Sequence, residues 1–305
     1  MSSNDPEHRL PAMLSTIAGM REVLFTQTRH IDACLHLLNE DECGRAPLPA
    51  GEPDINRVIK ALMHMIGISA HSLLKLTDEV GLGAKDGYPL ARTIIEGAIN
   101  VAYLMANGPE ISRKAQRHAE VRAFRDLSRQ EWIGGWTIKA GYRGQIPADE
   151  VQRLQAMTAE FTTAKGREKD WTDLSVRQRL DAAAAVFKNT ALLSLNVSVF
   201  NIYRHASEVM HGSYYGALMI WGLTVPGPPK TERDAFRLVF VDHQFSALMS
   251  AIFAFASVVE CFGQYAGVPS LKVGVDEVLE RLAKLPAIAE TLSNETPAEQ
   301  SGHHE

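Results

Sequence analysis

A chain of 305 residues, 46% hydrophobic and 22% charged, can bury a large core and has the composition of an ordinary soluble globular protein. Its formal net charge of -5 excludes a global basic field that would draw it to nucleic acid, so any phosphate recognition must be local. The three cysteines, Cys34, Cys43 and Cys261, lack metal-site spacing and are too few for a disulfide framework, which points to a reducing, cytoplasmic setting.

The polar start, Met1 to His8, carries Asp5 and Glu7 and does not read as a signal peptide. A first helix is expected from near Pro11 to about Glu42, with Leu14, Ile17, Met20, Leu24, Ile31, Leu35 and Leu38 in helical period. The Pro- and Gly-rich run from Gly44 to Pro53 reads as a loop. Asp54 is a candidate N-cap for a second helix to about Val80, ended by Gly81 and Gly83.

The third helix, about Tyr88 to Ala106, is apolar on nearly every side and so should be buried all round. Arg92 and Glu96 interrupt it four residues apart, on the arc of Ile95, Ile99 and Tyr103. They are expected to be largely buried, either as a structural ion pair or as the lining of a polar pocket.

A fourth helix should start after Pro109 and run to about Gly134. His118, Arg122, Arg125 and Arg129 fall within roughly 60° of arc on it. This row is either a solvated face or the local phosphate-binding candidate. Gly134, Gly135, Gly141 and Gly144 mark an irregular segment, and Pro147 opens another helix with Asp149 and Glu150 in its first turn. Ser175 with Gln178 has capping-box spacing for a helix to about Leu193.

The next helix, about Ser194 to Trp221, gathers the most chemistry. At roughly 100° per residue, Arg204, Ser207, Glu208, His211 and Tyr215 share one arc, opposite an expected core face of Val199, Ile202, Ala206, Val209 and Met210. Pro226, Pro228 and Pro229 break the chain before a last large helix from about Glu232 to Tyr265. Its apolar run, Ala247 to Val259, is too short to span a bilayer and reads as buried core, so no membrane association is expected. A short helix covers about Asp276 to Leu285. The expectation is an all-α, single-domain bundle of about nine helices over residues 10–290, with a disordered polar tail over 291–305.

Arg204 and His211, two turns and about 10 Å apart, suit a metal-independent site. Histidine can move a proton at a ribose hydroxyl or leaving oxygen, and arginine can hold the phosphate. No cofactor is implied. The Arg204-His205…His211 spacing resembles the signature of the HEPN superfamily of helical, often metal-independent ribonucleases. That resemblance implies RNA or a nucleotide as partner and a site at a homodimer interface. A second resemblance covers roughly residues 60 to 265. Ala91-Arg92-Thr93-Ile94-Ile95-Glu96, Tyr103-Leu104, Tyr203, Ser207 and His211-Gly212-Ser213 are similar to a mostly bacterial all-helical family described only as a domain of unknown function. It implies that Arg92, Glu96 and His211 come together as one polar site.

Two other readings stand beside this. Glu208 and His211 form a Glu-x-x-His half-motif, but no second such pair completes a di-iron set, so no metal is expected. Alternatively His211 is a satisfied structural histidine, Arg204 and Glu208 form a helix ion pair, and the protein is a non-enzymatic interaction or regulatory module.

Overall fold

The architecture is that of a computed structural model, which describes residues 6–48, 51–81, 83–127, 129–139, 146–187, 190–224 and 233–295. It is all-α in character, 78% helical with 4% strand. In chain order the elements are α1 (Pro6–Glu42), α2 (Pro53–Leu76), α3 (Ala84–Asn107), α4 (Pro109–Leu127), β1 (Gln130–Ile133), β2 (Trp136–Lys139), α5 (Ala148–Thr158) and α6 (Val176–Phe187). Then come α7 (Thr190–Ser198), a π-helical turn (Val199–Tyr203), α8 (Arg204–Met210), α9 (Tyr214–Ile220), α10 (Arg233–Ala266), α11 (Ser270–Ala283) and α12 (Pro286–Glu295).

The core forms around α3 and α10. α10 packs against α1, α3 and α7, while α3 also meets α2 and α6. Ile94, Ile95, Ala98, Ile99, Val101, Ala102 and Leu104 of α3 are fully enclosed, as its apolar circumference requires. From α10, Leu248, Ile252, Phe255, Val259 and Phe262 close the same core. α10 contains the segment Arg237–Ala266 that is apolar and long enough to cross a membrane, but 83% of its most apolar window is buried inside the bundle.

Element boundaries differ from expectation where local chemistry intervened. The helix expected to reach Gly134 stops at Leu127, and Gln130 to Lys139 form an antiparallel hairpin pairing Ile133 with Trp136. Gly134 and Gly135, both at positive φ (56° and 86°), make the two-residue turn that matches strand twist. The expected helix from Ser194 to Trp221 is cut into α7, the π turn, α8 and α9, so the helices outnumber the nine expected. Glu52, not Asp54, is the N-cap residue of α2, with Pro53 in its first turn. The predicted capping box is present: Gln178 N–H donates to Ser175 Oγ at 3.3 Å and Ser175 N–H to Gln178 Oε1 at 2.8 Å. At the C-terminal end α12 is helical to Glu295, which takes in the start of the stretch expected as tail. Residues 296–305 lie outside the described residues.

Buried His243 of α10 ties three elements together. Its Nε2 lies 3.1 Å from the Ile220 carbonyl, which can only accept, so Nε2 carries the proton. Nδ1 therefore accepts from the Tyr88 hydroxyl of α3 at 2.8 Å. Burial holds the imidazole pKa below its ordinary value. Tyr88→Phe would leave Nδ1 buried and unpartnered, so urea unfolding should show a loss of about 1–3 kcal/mol. Because the folded pKa is depressed, the unfolded chain binds the extra proton first. The His243 contribution should therefore be full above about pH 6.5 and fade as pH falls through that range.

Candidate functional site

The residues at the centre of the site lie where α3 meets the π turn and α8. A π turn holds one more residue per hydrogen-bonded ring than an α turn, so it rotates everything after it relative to α7. The result places Tyr203 against α3. Arg92 Nε donates to Glu96 Oε1 at 2.8 Å and Arg92 Nη2 to the Tyr203 hydroxyl at 3.2 Å. The guanidinium also lies over the Tyr203 ring, 4.4 Å from its centroid. Burial works against the Arg92 charge, but Glu96 and Tyr203 outweigh it and its pKa rises. Burial, then the neighbouring Glu96 carboxylate, push the Tyr203 phenol upward.

The pair is not as buried as its sequence context suggested. The Arg92 and Glu96 side chains are 20% and 36% exposed. They sit at the rim of the core, where α3 emerges between α6 and α8. One turn on, Asn100 receives a hydrogen bond from Arg179 of α6 and prolongs the polar row on α3.

Of the α8 residues and the His211 that caps it, Arg204 and His211 are exposed and Ser207 and Glu208 are half-buried. The expected core set holds at Ile202 and Ala206, which are buried, and fails at Met210, which is exposed. The chain leaves α8 through a left-handed Gly212 (φ 60°). Gly212 N–H bonds to the Val209 carbonyl (3.1 Å) and Ser213 N–H to the Glu208 carbonyl (3.2 Å), the paired closure of a Schellman turn. Ser213 then caps α9 by accepting from Gly216 N–H at 3.0 Å, and its hydroxyl donates to Glu208 Oε2 at 2.5 Å. His211-Gly212-Ser213 is thus a helix-to-helix corner. This corner corrects two expectations. Tyr215 lies on α9, beyond the turn, and does not share the arc of Arg204 and His211. The Arg204–Glu208 ion pair does not form, and Glu208 Oε2 instead accepts from the Ser213 hydroxyl.

The basic row is also rearranged. Arg129 lies past the end of α4 and pairs with Glu131 (Nε to Oε1, 2.7 Å). Arg122 meets Glu168 at 2.7 Å and Arg125 meets it at 3.4 Å. Arg125 also donates to the Phe161 carbonyl and Thr162 Oγ1. The His118 ring stands edge-on to Phe161, 5.1 Å between centroids. An open cleft of about 540 Å³ adjoins them, lined by His118, Arg122, Glu168, Lys169, Asp170 and Trp171. Its carboxylates offset its cations, so the row acts chiefly to fasten the loop after α5 onto α4. Sequence arc alone could not show this, because Glu168 is distant in the chain.

Among the described residues, no group of three or more His, Cys, Asp or Glu is placed to hold a metal ion. Tyr203 and Ser213 entered the sequence reading only as residues of the family motif; the structure gives them roles, Tyr203 completing the Arg92–Glu96 cluster and Ser213 donating to Glu208.

A family model described as a family of unknown function (DUF5677) matches residues 71–223, from the end of α2 to the residues after α9, and the chain belongs to that family. The match takes in Arg92, Glu96, Tyr203, Arg204 and His211 and offers no support for a link to the HEPN superfamily. Neither a curated protein nor a solved structure matches the chain.

Because the Arg92–Glu96 pair is partly solvated, Glu96→Gln should cost about 1 kcal/mol in urea unfolding, not the several expected of a fully buried pair. Tyr203→Phe keeps the ring under the guanidinium and should cost less than Tyr203→Leu, which removes both contacts.

Proposed function

We propose that the exposed face of α8 is a phosphate-recognising site directed at RNA or a nucleotide, acting without a metal, with Arg204 as the phosphate ligand and His211 as general acid or base. The observation that carries the reading is the commitment of Glu208 to Ser213. It leaves Arg204 exposed without the carboxylate four residues away, close along the chain to an exposed His211. Many other arginines of the chain are paired with acids, among them Arg45, Arg113, Arg117 and Arg153. Phe200 and Tyr214, 88% and 79% exposed, flank α8 in sequence and supply aromatic faces on which bases can stack.

In an RNA reaction His211 would take the proton from a ribose 2′-hydroxyl. The 2′-oxygen would bond to phosphorus as the 5′-oxygen leaves, yielding a cyclic phosphate and a free 5′-hydroxyl protonated by solvent. Arg204 would balance charge on the non-bridging oxygens. Arg92, Glu96 and Tyr203 would act as positioning residues through the chain step from Tyr203 to Arg204. The buried thiols Cys34 and Cys261 and the free Cys43 suit a reducing cytoplasm, which belongs to the same proposal.

A second reading, a non-enzymatic interaction module, is favoured by one observation. The Schellman turn gives Gly212 and Ser213 a complete structural role without any chemistry.

Purified protein incubated with mixed RNA in chelator separates the two. Under the first reading wild type cleaves, and His211→Ala falls by at least about a hundredfold while keeping its circular dichroism spectrum. Equal cleavage by both proteins, or none by either while both remain folded, would leave the interaction module.

A further inference from the structure

Among the described residues no other helix or strand packs to any extent on the β1–β2 hairpin, and every residue of both strands is exposed. Yet it carries Trp132 and Trp136, 72% and 77% exposed, and Ile133 and Ile138, each 56% exposed. A lone two-stranded hairpin is marginal in water, and a cluster of exposed large apolar groups marks a surface that something else covers.

The register says what kind of surface fits. Residues opposite one another share a face, so Trp132 points to one side with Thr137, while Ile133, Trp136 and Ile138 point to the other together with Glu131. A flat protein surface, or the same face of a second hairpin, would cover one tryptophan and leave the other in water. The Ile133–Trp136–Ile138 face offers roughly 400 Å² per copy. Two copies face to face would bury about 800 Å², below the range of stable dimers.

The polarity instead runs along the hairpin. The tip, Trp132 to Thr137, has no charged residue; Glu131 stands level with Ile138, and Arg129 and Lys139 stand at the base. Such a finger is covered on both faces when its tip enters a lipid interface. Four residues per strand reach about 13 Å, enough for the tip to arrive at the headgroup–acyl boundary. Tryptophan favours that level, and enough water remains there for the open strand edges to stay satisfied.

We propose that the hairpin is a membrane-contacting finger that seats Trp132, Ile133 and Trp136 in the interface of a lipid bilayer, with Ile138 and the opposite Glu131 at its headgroup level. Apolar burial drives the contact, because the base carries little net charge and the whole protein is acidic. It is a peripheral contact and revises the expectation of no membrane association.

The test is co-sedimentation of the full-length protein with phosphatidylcholine vesicles, some with brominated acyl chains. Wild type should bind, change little between low and high salt, and show tryptophan quenching by bromine. The Trp132→Ser/Trp136→Ser variant should keep its helical circular dichroism and lose about tenfold or more in vesicle affinity. Its remaining tryptophans, Trp171 and Trp221, should be unquenched. Wild type remaining in the supernatant would overturn the proposal, as would a double variant that sediments equally well. So would a concentration-dependent dimer that the double variant abolishes without vesicle binding by wild type, which would identify a second copy as the occupant.

Discussion

The middle of α3 is enclosed on nearly every side and has little place for a charge, yet it carries Arg92 and Glu96. The bundle is arranged about that constraint. The Arg92–Glu96 pair lies at the rim of the core, where each charge keeps some water and finds its other partners inside the protein. Glu96 answers one edge of the guanidinium, Tyr203 answers another, and the Tyr203 ring covers its face. Arginine suits this position because a planar, weakly hydrated cation can be hydrogen-bonded at its edge and stacked on its face together.

That demand reaches α8 through the π turn. An unbroken α-helix through residues 199–203 would bring a different side chain to α3, so the widened turn and the Arg92 contact belong together. The helix beyond the turn is short by necessity. α8 must end where Gly212 can turn the chain, and α9 must reach His243 with the Ile220 carbonyl. The seven residues from Arg204 to Met210 are held from both ends, with their outer face open to solvent. An exposed Arg204 and an exposed His211 beside a short helix anchored at both ends suit a phosphate site, and equally a docking surface.

Two of the chain's most conspicuous sequence features have structural roles inside the fold. Gly212 and Ser213 close one helix and open the next, and the basic row of α4 binds its own downstream loop through Glu168. Neither role involves the exposed His211 imidazole. The hairpin is the reverse case. Its glycine pair and alternating residues were plain strand signals, but a helical context and a run of only four residues per strand hid them.

The helical class, the burial of α3 and the core role of α10 were legible in the sequence, because apolar periodicity repeated over many turns outweighs local exceptions. So were the capping box at Ser175 and the pairing of Arg92 with Glu96, since both are contacts between residues three or four apart whose geometry one helix sets by itself. Whatever depended on distant residues was decided only in three dimensions. Tyr203 completes the Arg92 cluster across 111 positions, Glu168 neutralises Arg122 across 46, and Glu208 turns to Ser213 because the chain reverses at Gly212. A helical wheel assumes one uninterrupted axis. Where the π turn and Gly212 broke that axis, residues predicted to share a face, such as Arg204 and Tyr215, parted, for helix phase carries over only as far as the helix does.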